Sequence, residues 1–422
     1  MSEQNTTTES AAQAEPTVRF ATTSGDLLTA LSLTALALPP ERSSSPELGS
    51  VMLTATGSQL KVSTHNPALR DSVSVLVATE PGSGGHSVLD HQELQKVVAA
   101  ATSGRTPAQA ARVPVDMAGA CLSTPDITIP VTAYPAEGFS EVPSPVAMVA
   151  TVDGPEFLRQ LARVLPAVMK DDVLPLLTGV QIEYTKDQVC LRTTDRYRMA
   201  EATLPAQPWD GGTSPDRYEA AVWGGTLRNI AKQMRNYKGL VSLGLPAAES
   251  AEPQATLCLG GAEITIGRLE GRIPTLRALL PNADGGQRLG VERAAITQAV
   301  TRSMALCKAK GSDPLVLLTG HDGGHIRVAP ALDSVEEQNQ TVGSLLSVEC
   351  EGVGAPMHSA PLCLNPAYLL DALKAFDDDR VTLHLPAPKG GTGQRGKVLL
   401  TSGMDAAGDG YRHLLCAVHR LR

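Results

Sequence analysis

Three segments of the chain share one pattern of apolar and polar positions. Each opens on aliphatic residues at three- and four-residue spacing: LLTALSLTALALPP (27–40), FLRQLARVLPAVM (157–169) and ITQAVTRSMALCK (296–308). That spacing predicts a helix with one apolar stripe. A short polar break follows in each. Strand-like runs then predict hairpins turning at TGSQ (56–59), YTKDQ (184–188) and HDGG (321–324). Gly49, Gly179 and Gly320 mark equivalent points, 130 and 141 residues apart. A second helix pattern follows in each case: VLDHQELQKVVAAATSG, VWGGTLRNIAKQMRNYKG and LNPAYLLDALKAFDDD. Only three copies of so long a period indicate duplicated domains and not a solenoid. The links EVPSPVAMVATVDG and PNADGGQRLG, rich in Pro and Gly, set the joints. The expected order is a disordered tail over 1–16, then domains at 17–146, 147–285 and 286–422. Helices and strands do not alternate strictly, so the fold class is α+β with antiparallel sheets, a duplicated helix-plus-sheet unit in each domain.

Composition narrows the function. The chain has 422 residues, 42% of them hydrophobic, 19% charged and 3% aromatic, with net charge −8. Few aromatics argue against a reader that stacks bases. Seven cysteines without a C-x-x-C pair read as free thiols in a reducing cytosol. Of the nine histidines only His321 and His325 stand at H-x-x-x-H spacing, and they lie at the expected HDGG turn and not on a helix face, so no metal site and no cofactor are expected. LLTALSLTALALPP lacks a basic lead-in, so it reads as a core helix and not a signal peptide. No stretch is long enough to span a membrane, and a cytoplasmic location follows as the expectation.

Basic residues cluster on the helix patterns. Arg228, Lys232 and Arg235 stand at i, i+4 and i+7, and Arg159 and Arg163 at i and i+4; Arg302 lies near the start of the third domain. An acidic protein with bases on chosen helices is suited to hold a polyanion there. Two motifs read differently from their letters. GTGQRGK (391–397) matches a phosphate loop, but Val398 follows and KVLLTSG reads as a strand, where a working loop opens a helix. Asp377, Asp378 and Asp379 read as a solvated turn and not a metal cluster.

The stretch TTDRYRMA (193–200) compresses two arginines, a tyrosine and a methionine behind a strand pattern. Together with VLPLLTGVQIE, GRIPTLRALLP, YRHLLCAVHR and the repeats, it resembles the bacterial beta sliding clamps, the processivity subunits of replicative DNA polymerase III, over about residues 17–422. The resemblance implies a non-catalytic subunit. Three domains would close head-to-tail with a second copy into a ring around duplex DNA, without reading its sequence. It implies a pocket for short peptides of the polymerase, the clamp loader and repair proteins, built from Leu177, Thr194, Arg196, Tyr197, Arg198, Met199, Pro274, Leu279, Leu414, Cys416, Ala417 and Val418. It adds Arg42 to the DNA contacts. It places Ile127 and Ile129, in DITIPV, at the interface between copies.

The chain departs from the family at two points. Cys416 and Ala417 stand where Met and Pro are usual, and the first helix carries no base. Both departures point to a specialised, inhibitor-tolerant second clamp, one of an actinobacterial kind. Two other readings stay open: a nucleotide-dependent enzyme using Gly391 to Lys397, and a clamp-like binding module that no longer loads on DNA.

Overall fold

The structure, a computed structural model, describes residues 17–38, 46–209, 217–275, 279, 287–321, 324–353, 361–385, 396–403 and 410–418. By their contacts the residues divide into two compact units, 1–145 with 256–266, and 146–255 with 267–422.

In the first unit, β1 (Arg19–Thr23) leads into α1 (Ser24–Thr34). Strands β2 (Ser50–Asn66) and β3 (Asp71–Asp90) follow, then α2 (His91–Ala101) and the short α3 (Pro107–Ala110). Strands β4 (Pro114–Ala118), β5 (Cys121–Ser123), β6 (Thr128–Pro130) and β7 (Ala133–Tyr134) close it. Thr23 and Asp90 cap the two long helices by accepting from the backbone N–H groups of Asp26 and Glu93. The helices pack together, burying Leu27, Leu31, Leu94 and Val98. The segment read as a core helix and not a signal peptide is therefore core. Pairing runs antiparallel from β2 through β3, β1, β4 and β5 to β6.

TGSQ is not the turn of this hairpin. The ladder of β2 and β3 continues past it to Asn66 opposite Asp71, with a register irregularity between Gly57 and Gln59. Gly57 has φ +66°, a left-handed conformation cheap for glycine, which lets the strand kink without stopping.

The second unit begins with β8 (Met148–Asp153) and α4 (Gly154–Val164). Then come β9 (Gly179–Thr185), β10 (Gln188–Thr194), β11 (Arg198–Pro205), β12 (Gln207–Pro208), β13 (Tyr218–Trp223), α5 (Gly224–Gln233) and β14 (Leu240–Gly244). The hairpin of β15 (Gln254–Leu259) and β16 (Ala262–Gly267) gives residues 256–266 to the first unit, where Ile264 lies opposite Val73 of β3. The second unit resumes with β17 (Arg288–Glu292), α6 (Arg293–Ala309), β18 (Val316–His321), β19 (His325–Pro330), α7 (Val335–Gln340) and β20 (Ser347–Val353). It ends with β21 (Leu362–Leu364), α8 (Pro366–Lys374), β22 (Arg380–His384), β23 (Lys397–Thr401) and β24 (Tyr411–Cys416).

One antiparallel sheet runs through this unit in the order β13-β9-β10-β11-β24-β23-β22-β17-β20-β19-β18-β21. Helix α4 packs on α5, and α6 on α8, repeating the pairing of α1 with α2. The YTKDQ turn forms as expected, with Lys186 at φ +53° between β9 and β10.

The equivalence of the three glycines holds only in part. LLTG occurs at 176–179 and at 317–320. The first copy is a helical turn ending where β9 begins, and a Cβ on Gly179 would lie 2.5 Å from Leu269 Cδ1. The second lies inside β18, which starts at Val316. Pro175 opens the helical turn in the first copy, whereas in the second Leu317 and Leu318 pair with β19 and β21.

Candidate peptide-docking site

The site is made where β11 meets β24. Arg198 pairs with Leu415, Met199 with Leu414, and Leu414 in turn with Leu399 of β23. Cross-strand partners share a face, and residues two apart along a strand share it as well. One row of that face is therefore Met199, Leu414 and Leu399. With Ile273 they form a buried apolar cluster, covered by Leu176 and Leu279. The next row, at the strand ends, is Tyr197, Cys416 and Lys397. Here the Cys416 N–H donates to the Tyr197 carbonyl at 2.8 Å, and Lys397 is paired with Cys416. This row opens to solvent: Tyr197 is 55% exposed, while Cys416 and Lys397 are half-buried.

The TDRYR segment is a hairpin turn between two strands, and its own side chains build it. Asp195 Oδ1 accepts from the backbone N–H groups of Tyr197 and Arg198, both at 3.0 Å. Thr194 donates to the Arg198 carbonyl at 2.7 Å and accepts from the Arg196 N–H at 3.2 Å. That wiring holds Arg196 at φ +78°, a left-handed conformation uncommon for a side chain of its size, and presents Arg196 and Tyr197 outward.

Arg198 was expected on the rim with Arg196 and Tyr197, but only 5% of it is exposed. Its Nε meets Asp195 Oδ2 at 2.9 Å and its Nη1 meets Asp371 Oδ2 of α8 at 2.7 Å. It also bonds the Pro166 carbonyl and lies 4.2 Å from the Tyr368 ring centroid. A buried guanidinium needs such partners, so Arg198 is committed to holding α8 against the turn. Met199 is likewise buried, 1% exposed, beneath Leu176 and Leu279, where an open pocket floor was expected.

The remaining expected pocket residues gather here. Leu177 is half-buried, its N–H donating to Leu174, and Pro274 is exposed beside the buried Ile273. The Ala417 N–H donates to the Gly396 carbonyl at 2.8 Å and the Val418 N–H to that of Cys363 at 2.7 Å, seating the chain end along the sheet. Lys397 Nζ donates to the Leu279 carbonyl at 2.8 Å. Leu176, Ile273, Leu399, Lys397 and Asp371 escaped the sequence reading. The alternation in KVLLT would have found Leu399 and Lys397, but the contact of Asp371 with Arg198 has no local signal.

The lip carrying Ile273 and Pro274 is anchored from below. Arg272 pairs with Glu183 and Glu219, and the fully buried Arg192 pairs with Glu183 and Glu201. The Ile273 N–H donates to Gln181. Burial raises the thiol of Cys416 above its ordinary range, so it is a neutral contact.

The expected DNA contacts separate into two groups. Arg228, Lys232 and Arg235 are exposed, and among the described residues none of them makes an ion pair; Arg235 lies just past the end of α5. Arg159 and Arg163 instead converge on Asp377, and Arg163 is buried against Tyr411, 5.1 Å from its ring centroid. They join α4 to the turn after α8, so Asp377 is a structural partner and not simply a solvated turn. Arg302 is half-buried and donates to the Leu345 carbonyl. Arg42 and Gly391–Arg395 lie outside the described residues, and Lys397 opens strand β23, not a helix. Among the described residues no His, Cys, Asp or Glu group is arranged for a metal, and no helix is long and apolar enough to cross a membrane.

Residues 151–275 match the family model of the DNA polymerase III beta subunit, central domain. The Streptomyces coelicolor beta sliding clamp is 28% identical over 386 residues, covering 90% of this chain and 93% of that protein. The chain thus resembles the beta sliding clamps over nearly its whole length. The beta sliding clamp of Micrococcus luteus is 31% identical over 49% of this chain and 64% of its own length. The beta sliding clamp homolog GriR of Streptomyces muensis is 27% identical over 58% of this chain and 61% of its own length. Among solved structures, the Pseudomonas aeruginosa sliding clamp superimposes with a TM-score of 0.72 at 19% identity, covering 96% of this chain and all of that one. The same organism's clamp solved bound to griselimycin gives 0.73 at 19% identity, with the same coverage.

Proposed function

We propose that the chain is a sliding clamp that closes as a homodimer around duplex DNA and tethers the replicative polymerase, clamp loader and repair proteins through short peptides. The observation that carries this reading is the apolar face of β11, β24 and β23, closed by Leu176 and Leu279 on one row and open at Tyr197, Cys416 and Lys397 on the next. A peptide with hydrophobic anchors can extend that row, and displacing Leu279 would expose Met199 and Leu414 beneath it. The fold supports the same role. Three helix pairs recur along the chain, and α5 offers Arg228 and Lys232 without competing carboxylates. The division at 146 and 285 into three clamp-type domains is part of the proposal. So is the contact between copies: β6 is a sheet edge with Ile127 exposed beside it, and Leu306 of α6, Val335 of α7 and Val342 and Leu345 after α7 are exposed apolar side chains that need cover. The chain has no catalytic role in this reading; it works in the cytoplasm, on the nucleoid.

The test is retention. After loading, the protein should stay on nicked circular DNA through a high-salt wash and leave when the circle is cut. Equal retention on linear DNA with free ends would refute encirclement. We also propose a specialised, inhibitor-tolerant clamp, carried by Cys416 and Ala417 at the open end of the face. Griselimycin, with which a structural relative was solved, should bind Cys416→Met more tightly than the native chain. Equal affinity would remove this part of the proposal.

A further inference from the structure

The open row of the docking face ends in a cation that the chain itself leaves without a counter-charge. Lys397 is half-buried at the start of β23, and its ammonium makes one hydrogen bond, to the Leu279 carbonyl. An ammonium has three N–H donors, so two stay available. Among the described residues no carboxylate pairs with it. Two acidic side chains of the site are already committed, Asp195 to the turn amides and Arg198, and Asp371 to Arg198. The second cation of the site, Arg196, is held outward by the turn and makes no ion pair among the described residues. An acidic chain of net charge −8 thus presents two unpaired cations at the two ends of one short apolar row.

We propose that Lys397 sets the specificity of the docking site, selecting peptides that carry an Asp or Glu beside their hydrophobic anchors. The inference rests on the docking reading above. An incoming carboxylate meets an ammonium already partly stripped of water, so it forms a charge-assisted bond stronger than one between exposed side chains. The bond to Leu279 serves the same end by fixing the ammonium over the row before the peptide arrives. Arg196, exposed on the turn, adds long-range attraction that salt screens and little selectivity. A peptide with Lys at the same place meets a like charge and is rejected.

The test uses labelled ten-residue peptides with the same three Leu and Phe anchors, differing only in whether the intervening positions are Asn, Asp or Lys, titrated by fluorescence anisotropy on the full chain. The native protein should prefer the best Asp peptide over its Asn counterpart by about five- to tenfold, with Lys weakest, and the preference should shrink as salt rises. Lys397→Met should bring the Asp-to-Asn ratio close to one. Lys397→Glu should invert the order, and Lys397→Arg should restore the preference in part. Equal binding of Asp and Asn peptides to the native protein, or a preference that survives Lys397→Met, overturns the inference and leaves the docking site standing. Failure of every peptide to bind overturns the docking reading and this inference together.

Discussion

At the residue scale, the side chains that stand out in TTDRYRMA do two different jobs. Arg196 and Tyr197 face solvent, whereas Arg198 and Met199 are interior. Replacing Arg198 by Ala leaves Asp195 buried without its cation, an error that costs about 3–5 kcal/mol for a buried pair. Asp371 is half exposed and shares the same guanidinium, so Asp371→Asn should cost roughly 1 kcal/mol or less. Chemical denaturation of the two variants should separate them in that order. Met199→Ala removes a side chain from a closed cluster and should cost about 2–4 kcal/mol of stability whether or not a peptide is bound. A melting temperature equal to the native protein's would mean that the cluster is open in solution.

At the element scale, the chain end shows why a single substitution and a double one differ. Cys416→Met adds apolar surface at the open row and should tighten a hydrophobic peptide by up to about tenfold, from roughly two methylene equivalents of contact. Family likeness suggests adding Ala417→Pro. The structure argues against it, because the Ala417 N–H donates to Gly396 and proline has no N–H. The double variant should therefore lose about 1 kcal/mol of stability relative to Cys416→Met, measured by thermal melting. The helices divide in the same way. Changing Arg228, Lys232 and Arg235 to Glu should weaken DNA retention and flatten its salt dependence, with stability changed by about 0.5 kcal/mol or less per site. Arg163→Glu should chiefly destabilise the fold, since Arg163 is buried between Asp377 and Tyr411.

At the scale of the whole molecule, the buried histidine of β24 ties stability to pH. His413 lies beside Tyr411, with Nδ1 2.8 Å from its hydroxyl, and among the described residues its Nε2 has no partner. Burial, helped by the charge of Arg198, pushes its pKa down to about 3. The unfolded chain, with an ordinary value of about 6.5, then binds the proton first as pH falls. Stability is therefore unaffected above about pH 6.5 and declines below it, by at most ~1.4 kcal/mol per pH unit from this group until pH nears 3. His413→Gln should flatten that slope in urea unfolding between pH 6.5 and 4.5, and an unchanged slope would assign it to other groups. In the proposed ring, sedimentation should find a dimer at micromolar concentration, and Ile127→Asp should shift it towards monomer.

Among the described residues, periodicity alone was enough to recover the six long helices, the antiparallel α+β class and the strands on either side of TTDRYRMA, because these are set by residues within one or two turns of each other. The repeats and the quoted motifs also carried the resemblance to beta sliding clamps. Three things were decided only by tertiary structure. LLTG forms a helical turn in one copy, opened by Pro175, and a strand in the other, where β19 and β21 pair with it on both sides. The long hairpin passes through TGSQ because the β2–β3 ladder resumes on its far side, which outweighs the local turn signal. The arginines look alike as letters, but carboxylates distant in sequence divide them: Asp371 and Asp377 of the α8 region take Arg198, Arg159 and Arg163 into the structure, while Arg196, Arg228 and Lys397 meet no such partner among the described residues and stay free to bind something else. Spacing along a chain predicts which residues share a face. Which of them are already neutralised depends on partners about 170 to 220 residues away, brought close by the pairing of β11 with β24.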